Sequence, residues 1–112
     1  VKVTIEREGE TLVAMAEDRV DGTNASEFQQ ALEAAISESD RVVILDCEQL
    51  SYISSAGLRV VLLTARALQR QNSKFAVCSL SEQIREVFEI SGFDKIIPVH
   101  ATRSDALGAL VG

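Results

Sequence analysis

Two adjacent serines, Ser54 and Ser55, stand between an apolar segment and the longest helical pattern of the chain. A serine in that position can do three kinds of chemistry. It can cap the helix by accepting a backbone N–H. It can accept a phosphoryl group. Beside a histidine and an acid it can serve as a nucleophile. The order Ser55-Ala56-Gly57-Leu58-Arg59 predicts Ser55 as the N-cap, accepting from the N–H of Gly57 or Leu58. Gly57 then falls in the first helical turn, where glycine costs about 1 kcal/mol relative to alanine. A helix start that carries this cost suits close approach by another molecule's backbone. A capping serine is also an ordinary structural device, and the local pattern alone favours that plainer role. Arg59, one turn on, reads equally as a contact for a phosphate or an acidic partner and as a solvated helix residue.

The other reactive residues are sparser. His100 is the only histidine, and no GxSxG elbow surrounds either serine, so a hydrolase is disfavoured and His100 is expected on the surface. Asp21 and Asp46 follow apolar segments and could pair as acid and base; isolated carboxylates there are more often loop residues or caps. Cys47 and Cys78 are the only cysteines, and two buried free thiols in a reducing cytoplasm are expected in preference to a disulfide. Without a CxxC or a Cys/His cluster, a metal site is not supported. Without a GxxxxGK[ST] loop, neither is a nucleotide cofactor.

The elements that must position these residues follow from hydrophobic period. Val1–Ile5 alternates as a half-buried strand, and Glu6–Glu10 reads as a turn leading to a second strand over Thr11–Ala16. Asp21-Gly22-Thr23-Asn24 is a loop, and Asn24 with Glu27 has capping-box spacing. Phe28, Ala31, Leu32, Ala35 and Ile36 then form one helical stripe, which ends at Ser37–Asp40. Val42–Leu45 is continuous and β-branched, a strand buried on both faces. Asp46–Ser55 reads as a loop with an apolar middle of Leu50, Tyr52 and Ile53. A long helix follows over about 56–72, with Leu58, Val61, Leu62, Ala65 and Leu68 inward and Asn72 as its stop.

Phe75–Cys78 is the next strand. Ser79 with Glu82 opens a third helix marked by Ile84, Val87 and Phe88 and closed near Gly92. Lys95–Pro98 reads as a short strand, and Thr102 with Asp105 opens a last helix holding Leu107 and Leu110. The order ββαβαβαβα predicts an α/β fold, a mixed sheet with packed helices in a single domain over residues 1–112.

Bulk properties agree with such a domain. Of 112 residues, 46% are hydrophobic and 25% charged, a globular balance that can bury a core without disulfides or metals. The net charge of −6 argues against direct nucleic-acid binding and against an anionic membrane as main partner. The apolar runs are too short for membrane insertion. The chain opens at Val1, so a start methionine or short leader is expected ahead of it.

The stretch Leu50-Ser51-Tyr52-Ile53-Ser54-Ser55-Ala56-Gly57-Leu58-Arg59 resembles the signature loop of the STAS domain, more narrowly that of the anti-sigma factor antagonists. Asp21 resembles the family's acidic position before the first helix, and Ile90–Ile97 resembles its closing helix–Gly–strand element. The resemblance runs over nearly the whole chain. It implies a cytoplasmic, non-enzymatic regulator, expected as a monomer, without cofactor. Its partners would be an anti-sigma factor that is also a serine protein kinase, and a PP2C-type phosphatase that resets the system.

The resemblance places the phosphoacceptor at Ser55. It places partner contacts at Asp21, Gly22, Thr23, Ser54, Ser55, Ala56, Gly57 and Arg59. The family often has Asp immediately before the acceptor. Here that residue is Ser54, which removes a charge and offers a second candidate acceptor. The first rival reading is a non-phosphorylated STAS scaffold, or a subunit of a larger complex such as a lipid-transport machine. The second is a small enzyme using Ser55 as nucleophile.

Overall fold

The computed structural model describes Val1 to Val111. The chain opens with the expected hairpin, β1 (Lys2–Glu8) antiparallel to β2 (Thr11–Val20), turned at Gly9 with φ +60°. Both strands are longer than their alternation suggested. Glu6–Glu8, read as turn, extend β1, and most of β1 is exposed, with only Val3, and Val1 just ahead of the strand, packed partly on the core. β2 continues past Ala16 to Val20, with a register shift after Asp18, whose φ is +65°. The lower half of β2 pairs parallel with β3 (Val42–Asp46), and the upper half pairs parallel with β4 (Leu50–Ile53).

β4 lies within the segment read as a loop, and it is the one strand added to the expected order. It is only four residues long and buries only Leu50 and Ile53, so it shows no alternation. β5 (Lys74–Cys78) pairs parallel with β3, and β6 (Val99–His100) with β5. The sheet runs β1-β2-β3-β5-β6, with β4 beside β2 beyond the end of β3. It is mixed, as predicted: one antiparallel edge on parallel strands.

Side-chain alternation assigns the two faces. Leu12, Ala14, Ala16, Val43, Leu45 and Val77 point into the larger core, together with Phe28, Leu32, Leu58, Val61, Leu68, Ile84 and Phe88. These come from α1 (Ala25–Ala35), α2 (Ser55–Arg70) and α3 (Glu82–Ser91). Val13, Val42, Ile44 and Cys78 point the other way, under Ala106 of α4 (Arg103–Val111). Val42–Leu45 is therefore covered on both sides, from 0% to 8% exposed, as its unbroken apolar run required. Cys47 and Cys78 are free and buried, and burial pushes both thiols above their ordinary range.

Several local expectations change. Asn24 sits at the N-cap of α1 without capping it: its Oδ1 accepts from the N–H of Asp21 and its Nδ2 donates to the Arg19 carbonyl. The cap of α3 is Ser81, accepting from Ile84 N–H at 3.3 Å, whereas Ser79 takes φ +61°. Lys95–Pro98 is no strand. Phe93–Lys95 form a single 3-10 turn after the left-handed Gly92, and pairing with β5 begins at the Pro98 carbonyl, which accepts from Val77 N–H at 2.9 Å although Pro98 has no N–H to give. Asn72 with φ +60° beyond the end of α2, and Thr102 capping at Asp105 N–H, follow the sequence reading. No helix among the described residues is long and apolar enough to cross a membrane.

A feature absent from the sequence reading lies at the end of the sheet where β3 begins. Asp40 is 1% exposed, and its carboxylate accepts from Arg7 Nε at 3.0 Å, another Arg7 nitrogen at 2.8 Å and Ser37 N–H at 2.8 Å. Ser73 Oγ donates to the Asp40 carbonyl at 2.6 Å. This network ties β1, the α1–β3 connection and the α2–β5 connection together.

Candidate functional site

The site is built where β2 and β4 end together. Val20 pairs with Ile53, and the Ser54 N–H donates to the Val20 carbonyl at 2.9 Å. The residues that follow on each chain segment, Asp21–Thr23 and Ser54–Gly57, therefore leave the sheet side by side, as expected of two loops at the carboxyl end of one sheet. Asp21 turns back on its own loop. Its Oδ1 accepts from Thr23 N–H at 2.9 Å and from the Thr23 hydroxyl, and its Oδ2 pairs with Arg19 Nε at 3.2 Å. The Thr23 hydrogen bonds hold the Asp21 carboxyl below the usual carboxylate range, with Arg19 assisting. Gly22 sits exposed in the turn between them.

The cap of α2 is Ser54, not Ser55. Ser54 has extended backbone, φ −87° and ψ 175°, and its Oγ accepts from Gly57 N–H at 3.3 Å. Ser55 is the first residue of the helix and its side chain is exposed, while Ser54 is half-buried. The register of β4 causes the one-residue shift. Ile53 closes the pairing with Val20, so the residue free to take cap geometry is the next one.

Ser54→Ala is accordingly expected to cost about 1 kcal/mol of stability, the usual value of a serine cap. Ser55→Ala should stay within about 0.5 kcal/mol of the parent, as exposed substitutions do. Urea melts of the two variants check this; equal losses would remove the distinction.

Gly57 is buried, and its role differs from the expectation of a partner's close approach. A Cβ there would stand 2.6 Å from Ile53 Cγ1 and 2.8 Å from Val20 Cγ1. The glycine lets the first turn of α2 press onto the β2–β4 pair. Ala56 is half-buried beside it, and Arg59 is exposed on the outer face.

Two residues that the sequence reading did not place in the site complete it. Arg19 stacks over the Tyr52 ring at 4.8 Å, and Tyr52 is 44% exposed. The pair brackets the surface on the β2–β4 side. Only the alternation of β2 carried past Ala16 would have signalled Arg19, and the bulge at Asp18 hides it.

His100 lies on β6 in a cleft with Arg85, Glu89 and Asp94, half-buried rather than fully exposed. Among the described residues no hydrogen bond joins it to Ser55. Asp46 is bound at 3.1 Å by Arg103, which also reaches Glu6 at 2.7 Å. Asp21 and Asp46 thus have separate partners and form no acid–base pair. The surface offers hydroxyls, a carboxylate, arginines and an aromatic ring around a helix start.

Comparison with known proteins identifies the family. The model of the STAS domain family matches residues 2–106. A Bordetella bronchiseptica protein, BtrV, provisionally named an anti-sigma factor antagonist, is 41% identical over 109 residues, 97% of this chain and 94% of its own. The crystal structure of an anti-sigma factor antagonist from Mycobacterium paratuberculosis superposes with a TM-score of 0.90 at 23% identity, over 99% of this chain and 94% of that one. The Bacillus protein SpoIIAA, at 24% identity, superposes in its unphosphorylated form with a TM-score of 0.82, over 99% of this chain and 97% of that one. Its phosphorylated form gives 0.72, over 96% and 98%. The fold is the one expected of the sequence motif, and the chain belongs to the STAS domain family, among the anti-sigma factor antagonists.

Proposed function

We propose that this chain is a partner-switching regulator that works by binding, not catalysis. Its unmodified form binds an anti-sigma factor that is also a serine kinase. Phosphorylation of Ser55 weakens that complex, and a PP2C-type phosphatase restores it. The contact surface is Asp21–Thr23, Ser54–Ala56 and Arg59, with the buried Gly57 packing the helix start beneath it. The observation that carries this reading is the division of labour between the two serines. Ser54 holds the cap, so the Ser55 hydroxyl stands exposed at the first helical position without a structural duty. SpoIIAA exists in phosphorylated and unphosphorylated forms, which supports a modification within this fold.

The electrostatics also support it. A phosphoserine carries about −1.5 to −2 charges. At the first turn of a helix that charge meets the positive end of the macrodipole and free N–H groups, so the domain should keep its fold. A phosphate on Ser54 would instead have to take the place of a half-buried hydroxyl already engaged with Gly57 N–H. The partner is what feels the new charge.

Ser55→Asp should retain the thermal stability of the parent and bind the kinase about tenfold more weakly, if the charge costs about 1.4 kcal/mol at the interface. Ser55→Ala should bind constitutively. The test is phosphosite mapping by mass spectrometry after incubation with the cognate kinase and ATP, with affinities measured in parallel. Phosphate on Ser54 alone would refute the acceptor. Kinase that neither binds nor phosphorylates the chain would favour the scaffold reading.

A further inference from the structure

The charge of this chain is unevenly distributed in a way the switch at Ser55 does not by itself explain. The chain carries 17 acidic and 11 basic residues. Alone among the four α-helices of the described residues, α2 has no acidic residue, yet it holds three arginines, Arg59, Arg66 and Arg70. All three are exposed, and among the described residues none forms an ion pair. By contrast Arg7, Arg19, Arg41 and Arg103 each hold a carboxylate, and of the arginines outside α2 only Arg85 forms no ion pair among the described residues.

Residues spaced by four and seven share a helix face. Ser55, Arg59, Arg66 and Arg70 therefore form one stripe, about 22 Å long at 1.5 Å per residue. The half-buried Leu62 and Leu63 lie between the arginines. One flank of the stripe opens into a groove lined by Arg66, Gln69, Ile96 and Pro98, where Ile96 is 60% exposed.

We infer that the outer face of α2, from Ser55 to Arg70 with the Ile96 groove beside it, is a docking surface for an acidic amphipathic segment of a protein partner. Three unpaired guanidinium groups at helical spacing match a row of carboxylates, while Leu62, Leu63 and Ile96 offer apolar contact to the same element. A polyanion such as nucleic acid suits the surface less well, since the rest of the chain is strongly acidic and would repel an extended strand. Ser55 heads the stripe. A phosphate there would offset part of the charge of the three arginines and repel the acidic segment, which supplies a physical reason for the sign of the switch. This last link rests on the proposed role of Ser55; the basic stripe does not.

The test uses the full chain, labelled with 15N, and two synthetic 16-residue helical peptides. Both have leucines on one face; one has glutamates on the other face and the control has lysines. The acidic peptide should shift the amides of α2 and Ile96, weaken with added salt, and bind at least tenfold more weakly to the Arg66→Glu/Arg70→Glu chain. Arg66→Lys/Arg70→Lys should retain most of the affinity. Equal binding of both peptides, or shifts confined elsewhere, would overturn the proposal. So would tighter binding of a 16-nucleotide single-stranded DNA at the same amides.

The cognate kinase forms the second arm. The charge-reversed chain should bind it at least tenfold more weakly while melting like the parent, and equal affinity would overturn the proposal. If the acidic peptide binds as expected and the kinase ignores the unmodified parent chain, the surface stands and the kinase reading fails.

Discussion

Gly57→Arg is expected to unfold the domain, or to bring it close to unfolding. The Cβ alone would overlap Ile53 Cγ1 at 2.6 Å and Val20 Cγ1 at 2.8 Å, and both side chains are buried, 5% and 0% exposed. Overpacking a filled core costs about 1–3 kcal/mol, occasionally more. Gly57→Ala should fall in that range, despite alanine's better helix propensity of about 1 kcal/mol. Arginine adds a long charged side chain to the same crowded position, so a loss of at least about 3 kcal/mol is expected from a total stability of order 5–15 kcal/mol. The residue pattern alone suggests a glycine at a partner's point of close approach, whereas packing makes it a core position.

Thermal and urea melts of Gly57→Ala and Gly57→Arg check this. Ile53→Ala in the Gly57→Ala background should show a favourable coupling, because the truncated side chain relieves the overlap. A Gly57→Arg chain melting within about 2 °C of the parent would show that the helix can lift away without cost. Loss of partner binding by Gly57→Arg would report loss of the site's scaffold, so the partner face is better probed at Ser55 and Arg59.

Asp40→Ala is expected to destabilise the domain by about 3 kcal/mol, or roughly 10–15 °C in melting temperature. The figure is taken from the lower end for broken buried pairs because Arg7 is 41% exposed and can turn to water. The change strips the Ser37 N–H and two Arg7 nitrogens of their acceptor at once. Asp40→Asn should lose less, since an amide oxygen can still accept from Ser37.

The same residue predicts an acid limb. The Arg7 hydrogen bonds hold the Asp40 carboxyl below the usual carboxylate range, against the opposing pull of burial. A depressed folded-state pKa means that the stabilisation is complete above the unfolded-state value of about 3.9 and is lost as pH falls through the folded-state value. Parent and Asp40→Asn stabilities should therefore converge below about pH 4. A difference that persists unchanged to pH 2 would place the stabilisation outside the ionised pair.

Much of this molecule could be read from its residues in order. Continuous apolar runs marked the buried strands at Val42–Leu45 and Phe75–Cys78, because a strand covered on both faces has no place for a polar residue. Period marked the helices, and the loop motif singled out Ser54–Arg59. Tertiary structure decided what depends on pairing between distant segments. Whether Ser54 or Ser55 caps α2 was set by the Val20–Ile53 register, and local spacing is compatible with either. Gly57 is a packing requirement only because Val20 and Ile53 meet beneath it. β4 exists only because β2 extends past a bulge to receive it. Arg7 and Asp40, 33 residues apart, give no sign of each other in the sequence. Local preference and period act over a few residues, and these outcomes depend on which surfaces the folded chain brings within a few ångströms.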